Sequence, residues 1–146
     1  MSGRLLEREE DLAQVVRAMH VIAVVGIKDG RDPDAPAYSI PNMLATDGHR
    51  IVGVNPTIPA ALGTPTLASV AELPEGVDVL DVFRRIDALP ALAAELVALA
   101  PAQRPKVVWL QSGIRHDAVA AQLVAAGFDV VQDHCLGVYW RRYSPR

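Results

Sequence analysis

Short apolar runs alternate with amphipathic stretches along this chain. In the first amphipathic stretch, Leu12, Val15, Val16 and Met19 follow the period of a helix. The apolar runs carry almost no polar residue, which is typical of strands that are buried on both faces of a parallel sheet. The predicted strands span 21–26, 51–54, 77–82, 107–110 and 128–131.

Alternating strands and helices predict right-handed βαβ crossovers and a parallel sheet. We therefore expect an α/β protein with a single doubly wound, Rossmann-like domain over 1–146. Its five-stranded, mainly parallel sheet would be flanked by helices. The expected strand order is 3-2-1-4-5, either flavodoxin-like or the five-stranded Rossmann equivalent.

Capping and helix-breaking residues set the ends of four predicted helices. The first helix spans 7–19 and the last spans 116–126, while Ser39 and Asp87 are the predicted N-caps of the second and third. Prolines and polar residues predict loops over 28–36 and over 56–76, the latter with at most a helical turn, and an exposed basic tail over 141–146.

The composition narrows the class of protein. A chain of 146 residues suits one domain, and 51% apolar residues with only 5% aromatic predict a core of aliphatic side chains. The net charge of -3 argues against a general nucleic-acid or membrane binder. A single cysteine, Cys135, excludes an internal disulfide and fits a reducing compartment. Since neither a signal peptide nor a membrane-spanning run is visible, we expect a cytoplasmic protein.

Polar groups follow each predicted strand, whereas the strands themselves are nearly all apolar. Open parallel sheets bind ligands beyond the carboxyl ends of their strands, where the strand order reverses. The residues at these ends are glycines, cations and hydrogen-bonding groups, so they are the candidate site. In chain order they are Gly26, Ile27 and Lys28; Asn55 and Pro56; Phe83, Arg84 and Arg85; Gln111, Ser112, Gly113, Ile114 and Arg115; and Asp133, His134 and Cys135.

Gly26 favours an anion site after the first strand. Glycine lets a backbone approach a phosphate, and the helix that follows offers free N–H groups; a plain tight turn is the alternative. The next glycine is Gly30, so the dinucleotide motif G-x-G-x-x-G is absent. A NAD site would also have an acidic residue after the second strand, where this chain has Asn55. Both departures disfavour NAD.

The cations of this rim have a ligand-binding and a structural interpretation. Lys28 and Arg31 could meet phosphates or be solvated loop charges. Arg84 and Arg85 could stack on adenine, pair with phosphate, or form surface salt bridges.

The remaining rim residues leave the same choice open. Ser39 is a phosphate contact or an ordinary N-cap. Phe83 walls an adenine pocket or belongs to the core. Gln111, with Ser112 and Gly113, faces the crevice or forms the turn that caps the next helix. The four histidines are dispersed, so no metal site is predicted, and neither a G-x-S-x-G elbow nor a P-loop is present.

Five segments together carry a family resemblance. They are VIAVVGIK at 21–28, VNP at 54–56, VDVLDVFRR at 77–85, VWLQSGIR at 108–115 and VVQDHCL at 130–136. In this order and spacing, the chain resembles the small stand-alone CoA-binding proteins. Their domain is similar to the N-terminal CoA-binding domain of the succinyl-CoA synthetase alpha subunit.

The resemblance implies a role for each rim segment. The turn of Gly26, Ile27 and Lys28 would hold the CoA diphosphate, with Ser39 nearby. Many relatives have a serine where Lys28 stands, with a shorter loop before the helix. The other implied positions are Asn55 and Pro56 beside the adenosine, Val82, Phe83 and Arg84 beside the nucleotide, and Gln111 and Gly113 facing the pantetheine.

We therefore expect a protein that binds coenzyme A or an acyl-CoA at the carboxyl ends of the strands and has a non-catalytic or regulatory role. The synthetase's phosphohistidine partner domain is absent, so its ligase activity is not carried over. The alternatives are an NAD(P)-binding regulatory module and a thiol- or acyl-transfer enzyme that uses Cys135. That cysteine could equally be a small buried packing residue. We expect a small-molecule nucleotide ligand and no nucleic-acid or membrane partner, and a homodimer is compatible with the sequence.

Overall fold

Five parallel strands form the central sheet in the computed structural model, which describes residues 2–145. They are β1 (Val21–Val25), β2 (Arg50–Val54), β5 (Val79–Val82), β6 (Val107–Leu110) and β7 (Asp129–Val131). A short antiparallel hairpin, β3 (Ala60–Ala61) and β4 (Thr64–Pro65), lies in the segment expected to be loop. The same segment holds the 3-10 turn Val70–Glu72. The expected α/β class with a five-stranded parallel sheet is confirmed.

The strand order is β2-β1-β5-β6-β7, so the third predicted strand pairs with the first on the side opposite the second. This is the flavodoxin-like order 2-1-3-4-5, and the expected 3-2-1-4-5 is wrong. Burial gives the physical reason, because all four residues of β5 are buried, whereas Arg50 at the start of β2 is exposed. The more apolar strand takes the centre and β2 takes the edge. The strand order therefore reverses between β1 and β5.

Within the described residues, five α-helices cover the two faces of the sheet. They are α1 (Glu9–Ala18), α2 (Pro36–Thr46), α3 (Leu89–Val97), α4 (Asp117–Ala125) and α5 (Leu136–Tyr143). The side chains of α3 and α4 share one apolar cluster, and those of α1, α2 and α5 share the other. No helix within residues 2–145 has the length and hydropathy that a membrane span requires.

Several helix boundaries differ from the expected ones. The second helix begins at Pro36, whose fixed φ suits a first turn, so Ser39 lies inside the helix and is not its cap. Asp87 lies in a 3-10 turn before α3 and does not cap it. A fifth helix that the sequence pattern did not predict, α5, includes Arg141 and Arg142 of the expected basic tail. Arg146 lies outside the described residues.

Candidate functional site

Gly26 ends β1 at a point where three strand ends meet. Its N–H donates to the Val54 carbonyl of β2 at 2.9 Å. Its φ is +84°, and a Cβ atom added there would lie 2.2 Å from the Phe83 carbonyl oxygen beyond β5. Only glycine fits both the conformation and the close approach. Because Gly26 contacts the ends of both β2 and β5, it lies at the reversal point of the strand order, where ligands of this fold class bind.

Asn55 joins the loops that follow β1 and β2. Its Nδ2 donates to the Ile27 carbonyl at 2.8 Å, and its Oδ1 accepts from the backbone N–H and the hydroxyl of Thr57. The Ile27 side chain is fully buried in the α1/α2/α5 cluster. The Asn55 side chain and the Ile27 backbone therefore build the rim. The Ile27 side chain belongs to the core and does not reach the surface where a ligand would bind.

A backbone hydrogen bond fastens this turn to α2. Pro41 lies inside α2 and has no N–H, so the Ala37 carbonyl lacks its usual helical donor. The Lys28 N–H donates to that carbonyl at 3.0 Å. The Lys28 side chain is exposed at the mouth of the site, and Ser39 is exposed within the first turn of α2. Arg31 is held by Asp29 at 3.0 Å.

An apolar cleft of about 270 Å³ opens on the α3 side of the β1 and β2 ends. Pro56 and Arg84 line it, with Glu95 on α3 and the loop before the 3-10 turn Val70–Glu72. A second cleft of about 300 Å³ lies beside it on the α2 side and is lined by Lys28 and Asn55. Asn55 and Pro56 are consecutive at the end of β2, and each of them lines one of the two clefts.

Two expected contacts of the nucleotide lie elsewhere. Val82 is fully buried in the α3/α4 cluster. Phe83 is half-buried and packs on the opposite cluster, so it does not wall the cleft that Arg84 lines. Alternation along β5 explains this separation, because successive side chains point to opposite faces.

Gln111 and Gly113 lie in the loop after β6. Gln111 is 4% exposed, and its Oε1 accepts the Leu136 N–H at the start of α5 at 2.9 Å. Gly113 is exposed, and its N–H donates to the Asp133 carboxylate at 2.6 Å. The structure thus gives Gln111 a positioning role for α5 and does not bring it to the cleft that Arg84 lines.

Cys135 and His134 do not form a catalytic pair. Cys135 is half-buried at the N-cap position of α5. The His134 ring packs edge-on against Tyr139, with centroids 5.4 Å apart, and its carbonyl accepts the indole N–H of Trp109. Within residues 2–145 no hydrogen bond joins the two side chains, and no cluster of three metal-ligating residues is present.

A cleft of similar volume lies at the opposite edge, near the amino ends of the strands. Its charged groups pair with one another, as in Lys106 with Asp78 and Arg4 with Asp11, both at 3.4 Å. At the carboxyl edge, by contrast, neither Lys28 nor Arg84 forms an ion pair within the described chain. The carboxyl edge is therefore the better anion site. The sequence pattern did not indicate that Glu95, on α3, would line the cleft beside that helix.

Comparison with known proteins identifies relatives of this chain in sequence and in fold. The chain is 32% identical over 129 residues to the uncharacterized protein YneT of Bacillus subtilis, covering 88% of this chain and 90% of that protein. The solved structure of cell-free ID.343 from Thermus thermophilus matches with a TM-score of 0.83 and 38% identity, over 94% of this chain and 99% of that one. A hypothetical protein from Pyrococcus horikoshii shares the fold, with a TM-score of 0.82 at 22% identity over 98% of each chain. Residues 20–141 match the CoA binding domain, and the chain belongs to that family.

Proposed function

We propose that this protein binds coenzyme A or an acyl-CoA across the carboxyl edge of the sheet and does not itself catalyse a reaction on it. The carrying observation is that two cations without ion pairs, Lys28 and Arg84, flank the glycine turn at the strand reversal. The family match and the apolar cleft support the same ligand.

The two clefts suit different parts of such a ligand. The cleft beside α3 is mostly apolar, with the Arg84 guanidinium and the Glu95 carboxylate in its lining. It suits a purine ring that stacks on or pairs with the guanidinium. The turn from Gly26 to Lys28 carries an exposed ammonium group, which suits a diphosphate. Because consecutive residues, Asn55 and Pro56, line the two clefts, we propose that one extended nucleotide occupies both.

Arg84 and Arg85 provide a matched pair of variants for the test. Arg85 is exposed and already paired with Asp87 at 3.1 Å, whereas Arg84 lines the cleft. In calorimetry, Arg84→Ala should weaken CoA binding by about 1–3 kcal/mol, the worth of a charge-assisted hydrogen bond. Arg85→Ala should leave the affinity unchanged.

Titrations with CoA, acetyl-CoA and NAD identify the ligand class. We expect both CoA compounds to bind more tightly than NAD, since the chain lacks the glycine motif and the acidic residue of NAD sites. Tight NAD binding with no CoA signal would refute the proposal. Turnover of acetyl-CoA that is lost in Cys135→Ser would instead establish the acyl-transfer alternative.

A further inference from the structure

Glu95 is the one acidic side chain among the described residues that line the cleft beside α3. It is exposed, and Ala88 and Ala91, which line the same cleft, precede it by seven and four positions. Side chains at this helical spacing lie above one another on one face. Because the two alanine side chains are small, this face of α3 leaves room for a flat ring beside the carboxylate.

Glu95 and Arg84 carry opposite charges at this cleft and yet do not pair. Neither side chain takes part in an ion pair between residues 2 and 145. Arg84 lies just after β5, and Glu95 lies near the end of α3, so the two elements hold the charges apart. A ligand between them can accept hydrogen bonds from the guanidinium and donate one to the carboxylate.

A carboxylate in this cleft restricts which part of a nucleotide can face it. An ionised carboxylate accepts hydrogen bonds and donates none, and it repels phosphate groups. In the nucleotide part of coenzyme A, the available donors are the 6-amino group of adenine and the 2′-hydroxyl group of the ribose. The neighbouring 3′ position of this ribose carries a phosphate, so a carboxylate beside the 2′-hydroxyl group would lie against that charge. The 6-amino group is at the edge of the base that is far from the sugar and its phosphates.

Resting on the proposed binding of coenzyme A, we propose that Glu95 accepts a hydrogen bond from the 6-amino group of adenine and thereby determines which base this cleft binds. The Arg84 guanidinium then serves the ring face or the ring nitrogens, which accept. NAD sites instead place their acidic residue at the ribose, after the second strand, where this chain has Asn55.

Calorimetry with two ligands and two proteins isolates this contact. The ligands are coenzyme A and an analogue in which a hydrogen atom replaces the 6-amino group, and the proteins are the unmodified chain and Glu95→Ala. The four affinities form a cycle that gives the coupling between the carboxylate and the amino group. Glu72→Ala is the matched control, because Glu72 is an exposed glutamate at the end of the 3-10 turn Val70–Glu72 and does not line the cleft.

We expect the unmodified protein and Glu72→Ala to bind coenzyme A more tightly than the analogue by about tenfold or more, the effect of a hydrogen bond to a charged acceptor. Glu95→Ala should bind the two ligands with equal affinity, and it should bind the analogue as tightly as the unmodified protein does.

Two results would overturn this inference and leave the proposed function standing. One is an unmodified protein that binds coenzyme A and the analogue equally well, and the other is a preference for coenzyme A that Glu95→Ala retains. An unmodified protein that binds neither ligand would refute the inference and the proposed function together.

Discussion

At the scale of single residues, Gly26 is the position that tolerates least change. Its positive φ excludes most side chains, and the Phe83 carbonyl occupies the space that a methyl group would need. Gly48, which follows α2, has a φ of +103° but nothing within 4 Å of an added Cβ. A side chain at Gly48 would therefore suffer conformational strain alone, whereas a side chain at Gly26 would suffer the same strain and a steric overlap as well.

Replacing each glycine with alanine should show this difference in stability. Gly48→Ala should lower the free energy of unfolding by about 1–2 kcal/mol, the cost of a left-handed conformation. Gly26→Ala should cost about 2–5 kcal/mol, because overpacking adds to the same strain. Denaturant unfolding measures both values. Equal losses in the two variants would mean that the strand ends can move apart to admit a side chain.

The sequence predicted the site unevenly at this scale. Gly26, Lys28 and Arg84 stand at the expected edge because each lies in the first residues after a strand. Asn55 and Gln111 also stand there, but their amides hold Ile27 and Leu136, which are distant in sequence. An amide can bind a ligand or a distant backbone group equally well, and local pattern does not show which partner lies nearby.

At the scale of elements, Gln111 anchors the helix that the sequence analysis missed. The first N–H groups of a helix have no acceptor within the helix. The Gln111 side chain, just after β6, accepts the Leu136 N–H at the start of α5. The buried side chains of Tyr139 and Trp140 pack the rest of α5 against the cluster that it shares with α1 and α2. A helix of eight residues gives too short a periodic pattern to be recognised. The five strands were located closely because each is a largely apolar run flanked by polar residues or glycine.

Removing the Gln111 amide should destabilise α5. Gln111→Ala leaves the buried Leu136 N–H without an acceptor, so we expect a loss of about 1–3 kcal/mol in the free energy of unfolding. Gln122→Ala on the exposed surface of α4 is the control and should change stability little. Chemical denaturation followed by helix circular dichroism provides the measurement. A loss no greater than that of the control would show that water replaces the amide.

At the scale of the whole molecule, one carboxylate ties together segments that are far apart in the chain. Asp78 accepts the N–H groups of His20 and Val21 at 2.8 and 2.9 Å, and it pairs with Lys106 at 3.4 Å. It thereby joins the start of β1 to the residues that directly precede β5 and β6. The strand order that these contacts maintain could not be predicted from local patterns, since it depends on which strands meet.

The contribution of Asp78 to stability should depend on pH. Burial raises the pKa of Asp78, but hydrogen bonds from Val21 and His20 and the charge of Lys106 outweigh it, so the pKa lies below its usual value. A lowered pKa stabilises the fold above the unfolded value of about 3.9, and this contribution disappears as the pH falls through the folded value.

Asp78→Asn should therefore cost about 1–2 kcal/mol at pH 7, because a neutral acceptor binds these N–H groups more weakly. The gap between the two proteins should close in acid, while the exposed control Asp34→Asn should show no gap at any pH. Urea unfolding between neutral and acidic pH measures the gap, and a gap that stays constant across that range would mean that the charge of Asp78 contributes nothing.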